Sequence, residues 1–381
     1  MKKYDVVVVG GGIGGIAAAV AAARNRASAC IIEKHCMPGG LATLGNVVIY
    51  LPLCDGLGHQ VTRGLGEELL KLSVKDGSGS IPECWKGEGD TASRIKNRYR
   101  ARFNPASFML ALEEFLLLNK VDIFYDTRFT GVKKEGRRID AVAVENKDGR
   151  SFLKCAAVVD ASGDADVCEA SGEKTFETDT NAAAGWFFYF DGRDMKMNAL
   201  SDFYDPLAGK GPEGKPSFSG STADGVNAHL LYSHKLIRER ISKLKRENPS
   251  VYPFLLPSIP CFRMTRRLKG EIEIREENKN RVFPDTVGIT GDWRKAGPVY
   301  HIPFRALRGT VNSNLVTAGR CISSGSAWDI TRAIPACAVS GEAAGTAAAM
   351  LSAGEARSFS SLDAGALQER LKKQGVMLSF P

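Results

Sequence analysis

Gly10, Gly12 and Gly15 stand at the spacing G-x-G-x-x-G, directly after the run Val6-Val7-Val8-Val9. Bare backbone at that spacing suits one kind of chemistry. Gly10 allows a tight turn, Gly12 lets the main chain approach a pyrophosphate, and Gly15 lets the next segment pack closely on the strand. Glu33 follows twenty-three residues after Gly10, where a carboxylate can accept hydrogen bonds from ribose hydroxyls. The histidines are His35, His59, His229, His234 and His301. His301 is a candidate general acid or base, or else a hydrogen-bonded histidine at a domain junction. His234 falls on the apolar stripe of an expected helix and reads as a core residue. The nine cysteines include no C-x-x-C pair. That argues against iron–sulfur clusters, zinc ribbons and a thioredoxin-like pair, and no metal is expected.

These groups need a scaffold. Val6 to Val9 read as a strand buried on both faces of a parallel sheet. Ile16 to Arg24 is alanine-rich and predicts a helix, and Ala29 to Glu33 predicts a second strand ending on the acid. A helix N-terminus after the loop supplies free N–H groups and partial positive charge to phosphates. Strand, glycine loop, helix and strand within this length place a dinucleotide on the loop. NAD and FAD both fit these first residues.

Composition sets the limits. The chain has 381 residues, 44% hydrophobic and 25% charged, ordinary for a globular protein with a sizeable core. The net charge of +8 gives a solvated basic surface, or a preference for acidic ligands. No basic run is interleaved with aromatics, so nucleic acid is not expected. No stretch is expected to reach the ~18 apolar residues of a membrane span. An odd cysteine count without paired spacing fits reduced thiols and a cytoplasmic location.

After the acid, Gly39-Gly40-Leu41-Ala42-Thr43 keeps the chain glycine-rich where a nicotinamide dehydrogenase usually begins a helix. Val158-Val159-Asp160-Ala161-Ser162-Gly163-Asp164-Ala165-Asp166 is a strand breaking at Ala-Ser-Gly. Asn314-Leu315-Val316-Thr317-Ala318-Gly319-Arg320, Thr331-Arg332-Ala333-Ile334-Pro335 and Gly341-Glu342-Ala343-Ala344-Gly345 follow. With these segments the chain resembles the FAD-dependent oxidoreductases of the glutathione-reductase-like superfamily. The last group resembles the C-terminal signature of the narrower FAD-dependent oxidoreductase family. Arg320 stands where the wider superfamily has an aspartate. The resemblance implies non-covalent FAD held by Gly10, Gly12, Ile13, Gly14, Gly15, Glu33, Lys34, Gly39, Gly40, Thr43, Phe129, Ala161, Ser162, Gly163, Gly319, Arg320 and Ile334. Near Phe129 the family's contact runs mostly through backbone.

The resemblance also implies the organisation. Residues 1–172 and 301–351 form a discontinuous, Rossmann-like α/β FAD-binding domain, with an excursion at 59–101. Residues 173–300 form an inserted α+β substrate domain, and 352–381 a tail. The loop from Thr43 to His59 would face the flavin ring. It makes His59 a further candidate and offers Cys54, better read as a buried thiol than as a redox partner. Cys36 and Cys54 lack the disulfide-reductase spacing, so that activity is rejected.

Arg263, Arg266 and Arg267 fall on one expected short strand, where Arg263 and Arg267 share a face. They can hold a substrate carboxylate, or form a charged surface strand. Arg305 and Arg332 lie nearer the flavin by motif position, with Trp328 and Asp329 lining the same pocket. The expected activity is hydride exchange between a small organic substrate and FAD, with an external electron acceptor or donor. A NAD-dependent dehydrogenase, a thiazole-synthase-like enzyme and a non-catalytic dinucleotide-binding protein are the alternatives.

Overall fold

A computed structural model describes residues 2–87, 89–208 and 214–380. Residues 204–220, rich in Gly, Pro and Ser, are expected from the sequence to form a loop, and part of it lies outside the described residues.

The four valines end a first strand, Lys3–Val9, whose last four residues are buried on both faces. It pairs in parallel with Ala29–Ile32 on one side and with Gly149–Asp160 on the other. Asp122–Phe124 and Leu315–Thr317 extend the parallel sheet at its two edges. The first half of the long strand Gly149–Asp160 instead pairs antiparallel with Arg138–Asn146, which pairs with Arg128–Glu135. The result is an α/β Rossmann-like sheet carrying an antiparallel three-strand arm.

Two helices made almost wholly of small residues cross on this sheet. The loop helix Ile13–Arg24 and the core helix Ile334–Ser352 are both buried nearly all round, as expected of helices apolar on every face. A methyl group added at Gly345 would fall 1.9 Å from the Ala18 carbonyl oxygen, and one at Gly341 would fall 2.2 Å from that of Gly14. The helices meet backbone to backbone. The core helix is long and apolar enough to cross a membrane, but 94% of its apolar window is buried inside the protein. The expectation that no stretch reaches that length is corrected here. Alanine and glycine make the helix apolar, and their small size lets other helices cover it.

Glu342 lies within that helix, 2% exposed. Its Oε2 accepts the Leu65 N–H at 2.7 Å. Burial pushes its carboxyl up to about 8. Above the ordinary carboxylate range the unfolded chain loses this proton while the folded chain keeps it. Stability then falls as pH rises from about 4.5 to about 8, and levels off beyond. We expect Glu342→Gln to abolish that fall, so its melting temperature should overtake the wild type's by several degrees at pH 8. Parallel melting curves from pH 5 to 8 would contradict the assignment.

A separate three-stranded sheet is built on Trp186–Phe190, which pairs antiparallel with Met195–Ala199 and Tyr252–Leu255. The helix Ala223–Glu247 covers it through Ile237 and Ile241, packed with Phe187, Leu200 and Val251. The sequence offers Asp224 as the cap of this helix; Thr222 caps it instead, accepting the Gly225 N–H. The buried histidine is His229, one turn and a half before the expected His234, which is only half-buried. Its ring lies 4.2 Å from that of Phe262, and burial lowers its pKa to about 4.

A hairpin of Thr286–Gly291 and Val299–Pro303 straddles position 300. It packs against the core helix, where a methyl at Gly288 would meet Val339 at 2.1 Å.

Candidate functional site

The parallel strands end together, and their loops converge. The Gly10 N–H donates to Ile32 O, the Ala161 N–H to Val9 O, and the Ala318 N–H to Asp160 O. Gly10, with φ +105°, turns where a methyl would lie 2.4 Å from the Ala161 carbonyl oxygen. A methyl on Gly15 would lie 1.9 Å from Gly10 O, and one on Gly14 would lie 2.9 Å from the Gly319 Cα. These glycines let separate loops touch.

Gly12 is different. A Cβ there meets nothing within 4 Å. Gly12 is also the N-cap of the loop helix, in extended conformation and with no side-chain cap. The first N–H groups of the helix thus have no side-chain cap, beside a position where a Cβ would enter open space, which suits an anion. Gly12 bridges to Gly39, whose N–H donates to Gly11 O at 2.7 Å. Gly40 comes close as well, since a methyl on it would lie 3.2 Å from the Gly12 Cα. Thr43 is buried and holds this turn by donating to Pro38 O at 2.6 Å. The space above Gly12, the helix terminus and the glycine-lined walls fit a dinucleotide pyrophosphate.

Glu33 is 5% exposed. Its carboxylate accepts N–H groups from Gly11 (2.7 Å) and His35 (2.9 Å). Burial raises its pKa, and those N–H groups and Lys34 act against that rise. Lys34 itself is exposed. The Thr127 N–H donates to Glu33 O, which brings the strand holding half-buried Phe129 beside the acid.

The loop after the long strand is organised by Asp160, a residue read from the sequence only as part of a motif. It is fully buried, and accepts the Ser162 N–H and hydroxyl and the Cys168 N–H. Arg320 then ties the loops together. Its guanidinium donates to Gly163 O (2.9 Å), Phe262 O (2.6 Å) and Asp164 Oδ1 (2.6 Å). Gly319 donates to the Ser340 hydroxyl, which joins it to the core helix begun by Ile334.

Residues 258–265 lie against these loops. The Ser258 N–H donates to Leu44 O at 2.8 Å, and the Cys261 thiol points to Gly45 O. Phe262 reaches Arg320, and Thr265 donates to Asp164. Residues 258–265 thus span from the glycine turn to the Ser162–Asp164 loop. Beneath them Asn46 is buried at φ +56°, and its Nδ2 has no partner among the described residues. No local pattern announced this roof.

The four proton or substrate candidates are dispersed. His301 lies on the hairpin opposite Ile289, 3% exposed, with a pKa lowered by burial. His59 is mostly exposed, bonded to Asp55 at 2.9 Å and edge-on to Phe380. Arg305 holds Asp285 through two side-chain bonds of 3.0 and 2.8 Å. Arg332 stands just before the core helix, paired with Asp329 and stacked on Trp328. The expected arginine strand covers only Arg266–Leu268. Arg266 pairs with Glu177, and Arg267 with Glu273. Arg263 lies outside that strand and turns to Tyr204. The nine cysteines are free.

A profile of the family described as FAD dependent oxidoreductase matches residues 5–206 and 233–371. Over 73 residues the chain is 37% identical to a thioredoxin reductase of Ureaplasma parvum serovar 3. That stretch is 19% of this chain and spans 24% of the reductase's length. Among solved structures, BexE, described in connection with oxidation during BE-7585A biosynthesis, superposes with a TM-score of 0.51 at 13% identity. It covers 98% of this chain and 66% of its own. A geranylgeranyl bacteriochlorophyll reductase-like protein of Thermoplasma acidophilum gives a TM-score of 0.46 at 15% identity, over 99% and 85% of the two chains. At 13% identity the likeness to BexE speaks for the fold alone. The family match covers most of the chain, including every glycine loop of the cleft, and on it the chain belongs to the FAD dependent oxidoreductase family, whose cofactor is FAD.

Proposed function

We propose that the protein exchanges a hydride between a small organic substrate and non-covalently bound FAD, with an external acceptor or donor completing the cycle. One observation carries this reading: loops from four distant parts of the chain touch at the glycine loop, where a Cβ on Gly12 would enter open space. When bound, FAD supplies two-electron redox chemistry. The chain supplies the rest. Gly12 and the N–H groups that follow it hold the pyrophosphate, and Glu33 holds a ribose. Gly39, Gly40 and Thr43 line one side, with Ala161, Ser162, Gly163, Gly319 and Arg320 on the other. Residues 258–265 exclude water from above.

His301 is the proposed proton carrier, neutral at pH 7 because burial disfavours its charged form. Arg305 and His59 already have carboxylate partners, and their role is to hold the hairpin and the loop before it. Arg332 is paired too, with Asp329, and its substrate role rests on its place just before the core helix.

The visible spectrum of the purified protein tests the cofactor. Yellow protein that releases free FAD on heating is expected. Colourless protein that takes up no added FAD would return the loop to a nicotinamide dinucleotide, or to binding without redox chemistry. His301→Ala is expected to keep its FAD and to be bleached by a donor at least about tenfold more slowly. Unchanged bleaching would remove His301 from proton transfer.

A further inference from the structure

We infer that Arg263 anchors the carboxylate of a flat, unsaturated or aromatic substrate, in a mouth walled by Phe203, Tyr204 and Trp293 beside Arg332. This deepens, and rests on, the redox reading above.

The argument starts from charge. Most arginines around the cleft are matched by acids: Arg266 by Glu177, Arg267 by Glu273, Arg294 by Asp292, Arg305 by Asp285, Arg308 by Glu271, Arg320 by Asp164. Arg263 is half-buried, and among the described residues no carboxylate pairs with it. Its guanidinium donates only to main-chain carbonyls, those of Tyr204 at 2.9 Å and Asp202 at 3.5 Å. Burial and the nearby Arg332 both disfavour its charge, although Asp329 partly compensates. A half-buried cation without a paired carboxylate is disfavoured, and an anionic ligand would relieve it.

The walls define the ligand's body. The Arg263 guanidinium lies 4.3 Å from the Tyr204 ring and 5.2 Å from that of Phe203. Phe203 remains 57% exposed and stands edge-on to Trp293 at 6.4 Å. The Trp293 indole N–H donates to Asp329 O, which ties this wall to the segment that begins at Trp328. Stacking leaves guanidinium N–H groups free to hold a carboxylate in the ring plane.

Position links the mouth to the redox centre. Arg263 belongs to the roof segment, next to Phe262, whose carbonyl binds Arg320. Arg332 directly precedes the core helix and accepts the Cys337 thiol on its carbonyl. A carboxylate held here would bring the rest of the molecule under the roof.

Benzoate and trans-cinnamate are the probes, titrated calorimetrically into the purified holoprotein, with benzyl alcohol as the neutral control. Saturable binding of the two carboxylates is expected, with no heat from the alcohol. Arg263→Ala should weaken carboxylate binding at least tenfold, and Arg263→Lys should restore part of it, each with wild-type flavin content. Equal affinity in Arg263→Ala, equal binding of the alcohol, or no saturable binding by wild type would overturn the assignment. Calorimetry needs no flavin. A colourless protein that binds benzoate through Arg263 would defeat the redox reading alone, and a yellow protein blind to benzoate would defeat this inference alone.

Discussion

Gly12→Asp is expected to yield a folded, colourless protein. Gly12 already has the extended conformation of an N-cap, φ −72° and ψ 176°, and lacks a capping side chain. Nothing stands within 4 Å of a Cβ built there. An aspartate therefore fits and can accept the N–H groups of the first helical turn, which adds about 0.5 kcal/mol to folding through the cap and the helix dipole. Those are the groups proposed to hold the pyrophosphate. The new carboxylate both occupies them and repels the diphosphate. At about 4 Å, and at an effective dielectric near 20, one such repulsion is worth about 4 kcal/mol, or about a thousandfold in affinity. The measurements are flavin per chain after purification and the melting temperature of the apoprotein. Lost flavin with an equal or higher apoprotein melting temperature supports the cradle. A variant with full flavin would place the cofactor elsewhere. Gly12→Ala adds volume without charge and should lose less.

Gly345→Ala is expected to do the reverse: to damage the fold first. The methyl would sit 1.9 Å from Ala18 O and 2.7 Å from the Ala18 carbonyl carbon. Both are backbone atoms of a buried helix, and no side chain can rotate away. The helices must separate along a contact built from alanine and glycine, which opens gaps on either side. A loss of about 3 kcal/mol, the upper end for overpacking, is expected. Urea unfolding with the midpoint read by tryptophan fluorescence measures it. Any folded fraction should keep its flavin, because Ala18 lies more than a turn beyond the loop. Gly341→Ala presses on Gly14 O at 2.2 Å instead, and should lose stability and flavin together. Wild-type stability in Gly345→Ala would mean that the helices cross less closely than described.

Some features were legible in the residues because their causes are local. Four β-branched residues before glycines make a buried strand and a turn, whatever surrounds them. An alanine-rich run makes a helix, and Pro335 lies in the first turn of another, where its missing N–H is harmless. The aromatic strand Trp186–Phe190 and the long helix after Thr222 have local causes of the same kind. The helix phase was read less well, so that His234 was expected inside where His229 is. The stripe on that helix is broken by polar residues, and a shift of a few positions changes its face.

The arginines show where local reading fails. Residues 263 to 267 were expected to form one strand with two guanidiniums on one face. Only Arg266–Leu268 pairs, against Thr175–Glu177, and each arginine then takes the partner that the tertiary fold offers it. Ion pairing follows distance in space, and Arg320 meets Asp164 from 156 positions away.

Local patterns were enough for the glycine loop, its helix and the strand ending at Glu33, and the motifs for the family and its cofactor. These depend on backbone freedom and side-chain volume at fixed short spacings. Tertiary structure alone decided that Asp160 organises the second loop, that Arg320 is a bridge, and that residues 258–265 roof the cleft. It also decided that, among the described residues, Arg263 is left without an acid. Each of these is a contact between segments far apart in the chain, and the order of the residues carries no sign of which buried polar groups will finally meet.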